Sequence, residues 1–213
     1  MQRDSNFGYQ CLRCSRCCHH QAIQVNPYET LCLARHLGLS TGQFIARHTT
    51  NEGLFLRFTG QGTCGFLTPE GCGVHPARPL VCRLYPLGRE IDLQEGENFR
   101  LLERHHQCPA RVGQEGSLAD YLEGQGAMPF LEAADRYLEV VLEMHEALAR
   151  RPAGSQGQAT LAAPGLAAGA GANPWLDVDG VLGRAASPID PWQAMQAHLA
   201  AIRKWLKDID KEE

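Results

Sequence analysis

The sequence predicts a small α+β protein, in which metal-stabilised cysteine-rich loops, short helices and a β-hairpin are followed by C-terminal helices. Four cysteines fall within "CLRCSRCC", residues 11–18, at the spacing C-x2-C-x2-C-C. Residues 60–86 are rich in Gly, Pro and Cys and show little apolar periodicity. Sustained helical periodicity begins only near residue 129. The first part of the chain therefore needs more than an apolar core to order it, and a metal site would serve.

Composition and charge restrict the class of protein. Hydrophobic residues make up 44% of the 213 residues and charged residues 21%, which is enough for a packed core. The net charge of −4 argues against nucleic acid as a partner. The chain has no run of 18 apolar residues, and its N-terminus lacks the features of a signal peptide. We therefore expect no membrane partner and a cytoplasmic location, where thiols stay reduced.

Two short helices are predicted after the first cysteine cluster. In "NPYETLCLARHLGL", Asn26 can cap the helix, Pro27 suits its first turn and Glu29 is the third helical residue. In "STGQFIARH", Ser40 and Gln43 have the spacing of a capping box. Both helices should therefore begin at residues that satisfy their first backbone N–H groups.

Strands and further helices follow in order. The stretch "LFLRFT" predicts a short strand, whereas "REIDL" and "NFRLLER", separated by the turn-prone "QEGE", predict a β-hairpin. Ser117 is expected to begin a short helix, "SLADYLE". Pro129 is expected to begin a long helix whose apolar residues keep helical spacing.

Four segments are predicted along the chain. They are a cysteine-cluster metal-binding domain (1–128), a packing helix (129–151), an Ala/Gly-rich linker (152–174) and a C-terminal helical segment (175–213). The last helix begins at "DPWQ" and has one apolar face, formed by Trp192, Met195, Leu199, Ile202 and Leu206. That face must pack on the main domain or on a protein partner.

Eight of the nine cysteines are predicted metal ligands. Cys32 is set apart because it lies on the apolar face of a predicted helix, where a thiol acts as a small buried hydrophobe. The eight divide into two possible four-thiolate sites, because neighbours such as Cys17 and Cys18 point their side chains apart. Such thiolates suit an iron–sulfur cluster or zinc, and spacing does not choose between them. The predicted ligands are Cys11, Cys14, Cys17, Cys18, Cys64, Cys72, Cys82 and Cys108.

The spacing C-x2-C-x2-C resembles the first three ligands of bacterial ferredoxins, and Cys108-Pro109 is similar to their distal Cys-Pro. The predicted cofactor is an iron–sulfur cluster, with 4Fe–4S as the leading type and Zn²⁺ as the alternative, although the spacing itself does not decide between them. The spacing differs from the C-x3-C-x2-C of radical enzymes that cleave S-adenosylmethionine.

Charged residues beside the cysteines are candidates for tuning a metal. Arg78 and Arg83 flank Cys82 and could offset the negative charge of a thiolate site, or could instead bond loop carbonyls. Histidines could ligate or support a metal, although solvated side chains are the commoner alternative. These histidines are His19, His20, His75, His105 and His106.

These motifs together resemble the CxxCxxCC cysteine-cluster (YkgJ-like) family, which is described as zinc- or iron-chelating. "CLRCSRCC" is similar to the opening motif of the family, and "CGFLTPEGCGVHPARPLVCRLYPL" to its second motif. Cys108 corresponds to the last cysteine of the family. Ser15 departs from the pattern, since the family commonly has Gly there. The resemblance covers residues 8–112 and implies metal binding, most readily by an iron–sulfur cluster.

Three functions are consistent with these observations. The first is an iron–sulfur protein in electron transfer, redox sensing or accessory service to another enzyme. The second is a zinc-stabilised protein-interaction module. The third is a metal-dependent transferase-type enzyme, suggested by a flagellin lysine methylase in the family, although the chain has no glycine-rich cofactor loop.

Overall fold

The chain is a small α+β protein, as predicted, and forms two compact units. The computed structural model describes residues 1–92, 94–149, 173–183 and 189–209. The first unit, here the cysteine unit, comprises Met1–Ile23 and Phe58–Leu131. The second, here the helical unit, comprises Gln24–Arg57 and Glu132–Glu213.

A long-range strand pair ties together the two ends of the cysteine unit. Strand β1 (Asn6–Gln10) runs antiparallel to β8 (Arg111–Ser117), with Tyr9 opposite Val112 and Gln10 opposite Arg111. The sequence analysis assigned no strand to the N-terminal region that precedes the first cysteine cluster, and β1 is an addition to that prediction. The short "NFGYQ" forms a strand because it pairs with a segment about 100 residues away.

The predicted β-hairpin is present. Strand β6 (Leu87–Asp92) pairs antiparallel with β7 (Gly96–Leu101), from Leu87 opposite Leu101 to Asp92 opposite Gly96. Gly96 has a φ of +80°, which only glycine adopts without cost at the turn. The hairpin carries the buried Phe99 into the core of the unit.

Shorter elements complete the cysteine unit. A two-residue hairpin joins β4 (Leu67–Thr68) to β5 (Gly71–Cys72). Helix α3 (Leu80–Leu84) packs near β6, and α4 (Leu118–Gly124) packs on β1. Helix α4 begins where the sequence predicts, because Ser117 and Asp120 form a capping box.

The first two helices of the helical unit also begin at the predicted caps. Helix α1 (Pro27–His36) has a complete capping box between Asn26 and Glu29, and α2 (Thr41–His48) has one between Ser40 and Gln43. The predicted strand at 54–59 is shorter in the structure. Strand β3 (Phe55–Leu56) pairs with β2 (Thr49–Thr50), and Phe55 also forms an isolated antiparallel bridge with Gln24.

Three more helices complete the helical unit. Helix α5 spans Met128–Ala149, α6 spans Val178–Val181 and α7 spans Pro191–Ile209. Most of α5 belongs to this unit, and α7 packs on α1 and α6. The predicted apolar face of α7 is therefore covered within its own unit, where Met195 and Ile202 are fully buried. None of the described helices is both long and apolar enough to cross a membrane.

The two units follow a different division from the predicted segments. Residues 24–57 lie within the predicted 1–128 domain, yet they group with the C-terminal helices because α1 packs on α7 and α2 on α6. The predicted linker at 152–174 lies outside the described residues, except for its last two positions.

A partly buried ion pair links α1, α2 and α6 in the helical unit. The guanidinium of Arg35 donates to both carboxylate oxygens of Asp179, at 2.6 and 2.9 Å. The backbone N–H of Thr41 donates to the same carboxylate at 2.8 Å. Burial raises the pKa of Asp179, but the bonds from Arg35 and Thr41 outweigh it and leave that pKa below its usual value. The pair therefore fixes two helix ends against α6.

Candidate metal centre

Several non-glycine residues in and beside the first cysteine cluster have positive φ angles. Arg13, Ser15 and His20 have φ values of +51°, +60° and +53°. A non-glycine residue in this left-handed region costs about 1–2 kcal/mol. Between them, a single 3-10 turn spans Arg16–Cys18 and closes on Ser15 through a 3.0 Å backbone bond from Cys18. The thiols of Cys17 and Cys18 are hydrogen-bonded to each other, so the expectation that these neighbours point their side chains apart is wrong.

Backbone pairing brings a second loop against the cluster. The N–H of Cys64 donates to the carbonyl of Cys18 at 2.8 Å, and that of His20 donates to Gly62 at 2.7 Å. The pKa of Cys18 is raised, most strongly by its hydrogen bond with Cys17 and next by its burial. The charges of the nearby Cys64 and Cys72 thiols raise it further. Cys18, Cys64 and Cys72 therefore form one thiol group.

A second group contains Cys14 and Cys108. Their Sγ atoms lie 3.7 Å apart, although the two residues are 94 positions apart in the sequence. Burial raises the pKa of Cys14, and the adjacent Cys108 raises it further. The chain reaches Cys108 through a turn in which its N–H donates to the carbonyl of His105 at 2.8 Å.

Cys17 lies between the two groups. A hydrogen bond with Cys18 lowers the pKa of Cys17 to about 7, against the burial that raises it. Its charge also acts on Cys14 in one group and on Cys64 in the other. Six thiols therefore form one connected series, in the order Cys108, Cys14, Cys17, Cys18, Cys64 and Cys72.

The remaining cysteines occupy different positions. Cys11 is exposed, and its Sγ accepts the N–H of Arg13 at 3.4 Å. Cys82 lies on the exposed side of α3, within the cysteine unit. Cys32 lies in α1 of the helical unit. In the described part of the chain, no three Cys, His, Asp or Glu side chains are placed so that they could hold a metal ion as they stand.

Tyrosines surround the thiols, a feature that the sequence did not predict. Tyr9 is hydrogen-bonded to Cys108, and its ring makes edge contacts with Tyr85 and Tyr121 at 6.4 and 6.2 Å. Burial and the charges of Cys108 and Cys11 raise the pKa of Tyr9, so its hydroxyl stays protonated and donates to sulfur. Only the β1–β8 pairing brings Tyr9 here, and no local sequence signal reports that pairing.

The two arginines beside Cys82 bond the loops of the site. Arg83 is buried and donates to the carbonyls of Arg78, Gln125 and Pro76 at 2.9, 2.8 and 2.6 Å. Arg78 donates to the carbonyl of His75 at 2.7 Å. Both arginines therefore bond loop carbonyls, which is one of the two roles that the sequence suggested. The other role, compensation of negative charge at the metal, stays a prediction.

Four of the five histidines considered as metal ligands line the same cleft. His19, His20, His105 and His106 line an open cleft of about 530 Å³ beside Cys17, here the histidine cleft. The rings of His105 and His106 stack with centroids 4.5 Å apart. Partial removal from water lowers the pKa of His105, and neighbouring cationic groups, including Arg16, lower it further. His75 lies elsewhere, against Arg78.

Comparison with known proteins confirms the predicted family resemblance. A family model with the description "CxxCxxCC: Putative zinc- or iron-chelating domain" matches residues 10–109. The matched range includes all eight cysteines predicted as ligands. No significant match was found among curated proteins or among solved structures.

Proposed function

We propose, from the premise that residues 10–109 are a zinc- or iron-chelating domain of the CxxCxxCC family, that the metal is iron in an iron–sulfur cluster. The leading cluster type is 4Fe–4S. The protein would serve electron transfer, redox sensing or another enzyme as an accessory. A reducing compartment such as the cytosol suits this role, because thiolate ligands must stay reduced.

The connected series of six thiols supports this proposal. A single zinc ion binds four ligands, so the series supplies more sulfur than one ion needs. All six side chains are soft thiols, which are the ligands that iron–sulfur clusters prefer. The donor set therefore fits either one cluster with additional cysteines, or two centres that meet at Cys17.

The two thiol groups suggest how ligands would be assigned. One centre would draw on Cys14 and Cys108, and the other on Cys18, Cys64 and Cys72, with Cys17 available to either. Cys11 and Cys82 are the further candidates within the same unit. A bound cluster would supply a one-electron redox couple. Tyr9 would hold Cys108 in place and lower its electron density by donating a hydrogen bond to the sulfur.

The zinc-stabilised module is the second candidate, and one distance favours it. The Sγ atoms of Cys14 and Cys108 are 3.7 Å apart. Two thiolates on one tetrahedral zinc, with Zn–S bonds of about 2.3 Å, are separated by about 3.8 Å. In a 4Fe–4S cluster each thiolate binds a different iron, so the sulfurs are held farther apart.

Protein purified without oxygen distinguishes the two candidates. We expect a brown protein with broad visible absorption and with iron and acid-labile sulfide in similar amounts. A colourless protein that contains stoichiometric zinc and no sulfide would overturn the iron–sulfur proposal in favour of the zinc module.

Matched cysteine variants test the ligand assignment. Cys14→Ser should lose a large part of the metal, because it removes one of the two closest thiols. Cys32→Ser is the control and should keep its metal, because Cys32 lies in a helix of the other unit. Equal metal loss in the two variants would show that the cysteines are divided wrongly.

A further inference from the structure

The histidine cleft lies beside the thiols, and metal binding by the thiols gives no role to its basic residues. Its cationic lining comes from two segments, the loop that follows Cys14 and the stretch that precedes Cys108. Its volume of about 530 Å³ falls within the range of about 300–1,000 Å³ that is usual for small-molecule sites. The lining groups that carry or can carry positive charge are Arg16, His19, His20, Arg104, His105 and His106.

Charge and hydrogen-bonding capacity indicate which ligand this lining fits. The lining includes two arginines, Arg16 and Arg104, and a single acidic residue, Glu103. Arg104 is held in position because its Nη1 donates to the carbonyl of Ala110 at 2.6 Å. A cleft lined mainly by one sign of charge concentrates counter-ions of the other sign.

The imidazoles add donors. The Nδ1 atom of His105 accepts the backbone N–H of Gln107 at 3.1 Å. A neutral His105 therefore carries its proton on Nε2 and can donate from that atom. The ring of His20 lies against Gly62, and the backbone N–H of His20 donates to the Gly62 carbonyl at 2.7 Å. These donors are partly pre-positioned, as recognition of a small anion requires.

We propose that the histidine cleft binds the oxyanion group of a small molecule, a phosphate or a carboxylate, beside Cys17. The guanidinium of Arg16 is the principal donor, because planar guanidinium groups pair with two oxygens at once. The assignment does not depend on which metal the thiols bind.

Calorimetric titration of the full-length, metal-loaded protein tests this site. Inorganic phosphate and succinate are the two probes, and the tighter of them identifies the chemistry of the ligand. We expect saturable binding of at least one probe, weakened by added salt. Arg16→Gln should weaken that binding about tenfold, as expected for the loss of a charge-assisted contact.

Arg13→Gln is the matched control. Arg13 lies in the same loop and has the same charge, but it does not line the cleft. This variant should bind the probe within twofold of the unchanged protein. The absence of saturable binding by both probes at millimolar concentration, or equal weakening by both variants, would overturn the proposal.

A second variant separates loss of the site from loss of folding. His105→Gln changes a residue from the other segment that lines the cleft, and it should weaken binding severalfold while exposed His75→Gln, outside the cleft, does not. Metal content is measured on the same samples. Probe binding that depends on Arg16 in a zinc-containing protein would support the cleft while overturning the iron–sulfur proposal.

Discussion

Residues 8–24 of the cysteine-rich region and residues 191–206 of α7 differ sharply in what they bury. The α7 segment buries Met195, Leu199, Ile202 and Leu206, whereas no residue from 8 to 24 is buried. Between residues 57 and 73, only Phe66 is buried. Ordering a residue costs about 1–2 kcal/mol, so the cysteine loops need a source of stability that the helices find in packing. Metal–thiolate bonds are the natural source.

Metal removal should produce the largest difference between the two regions. A structural metal site contributes on the order of 10 kcal/mol at neutral pH. We expect hydrogen exchange of the stripped protein to show lost protection in residues 10–20 and 59–73, with protection kept in α1 and α7. Unchanged protection of both loops after complete metal removal would show that metal does not order them.

The Arg35–Asp179 ion pair tests the helical unit alone. Asp179→Asn removes the charge that pairs with the partly buried Arg35, which should destabilise this unit by about 3 kcal/mol, the lower end of the range for a buried pair. All three tryptophans, Trp175, Trp192 and Trp205, belong to the helical unit, so urea unfolding followed by tryptophan fluorescence reports on it.

Two controls sharpen this prediction. Glu143→Gln, at an exposed ion pair with Arg203, should lower the free energy of unfolding by about 1 kcal/mol at most. Metal content should be unchanged in Asp179→Asn. A loss of metal equal to that of Cys14→Ser would show that the two units are not independent in stability.

Acid should weaken the helical unit through His198. This side chain is fully buried, and its Nε2–H donates to the carbonyl of Trp175 at 3.1 Å. Burial lowers the pKa of His198 from 6.5 to about 4, against the Trp175 bond and the charge of Asp177, which raise it. The neutral form is therefore favoured on folding. Stability from this residue is complete above pH 6.5 and is lost as the pH falls towards 4, by up to about 3 kcal/mol.

Fluorescence-detected unfolding between pH 4 and 7 checks this effect. His198→Gln should flatten the pH dependence over that range, whereas His36→Gln, at an exposed position of α1, should not. An unchanged slope in His198→Gln would mean that other groups, such as the buried carboxylates, control the acid response.

The smallest expected effect concerns Ser15. Its φ of +60° lies in the left-handed region that favours glycine. Ser15→Gly should stabilise the metal-loaded loop by up to about 1 kcal/mol, because relief of strain exceeds the added freedom of glycine in the unfolded chain. The measurement is metal affinity by chelator competition. Leu12→Gly, at a residue without positive φ, should instead weaken binding slightly.

Local signals allowed much of the helical structure to be predicted. The capping boxes at Asn26, Ser40 and Ser117 mark the starts of three helices, because the bonds that form them span only three residues. The β1–β8 pair escaped prediction because its two strands are about 100 residues apart. The grouping of α1 and α2 with α7 escaped for the same reason.

The site was predictable in composition but not in arrangement. The spacing of Cys11–Cys18 indicated a thiolate site, whereas the contact between Cys14 and Cys108 depends on how distant segments meet. The same holds for the histidine cleft. Its two histidine pairs are visible in the sequence as "HH", but nothing local shows that they line the same cleft.

The interleaving of the two units determines the order in which they are completed during synthesis. Cys14 leaves the ribosome about 90 residues before Cys108, which corresponds to roughly 5–20 s at typical elongation rates. The N-terminal thiols must therefore stay reduced and unoxidised through that interval. Residues 24–57 lack their packing partner for longer still, until α7 has been synthesised. A nascent chain can thus close the cysteine unit, and accept its metal, while the first half of the helical unit is still without its packing partner.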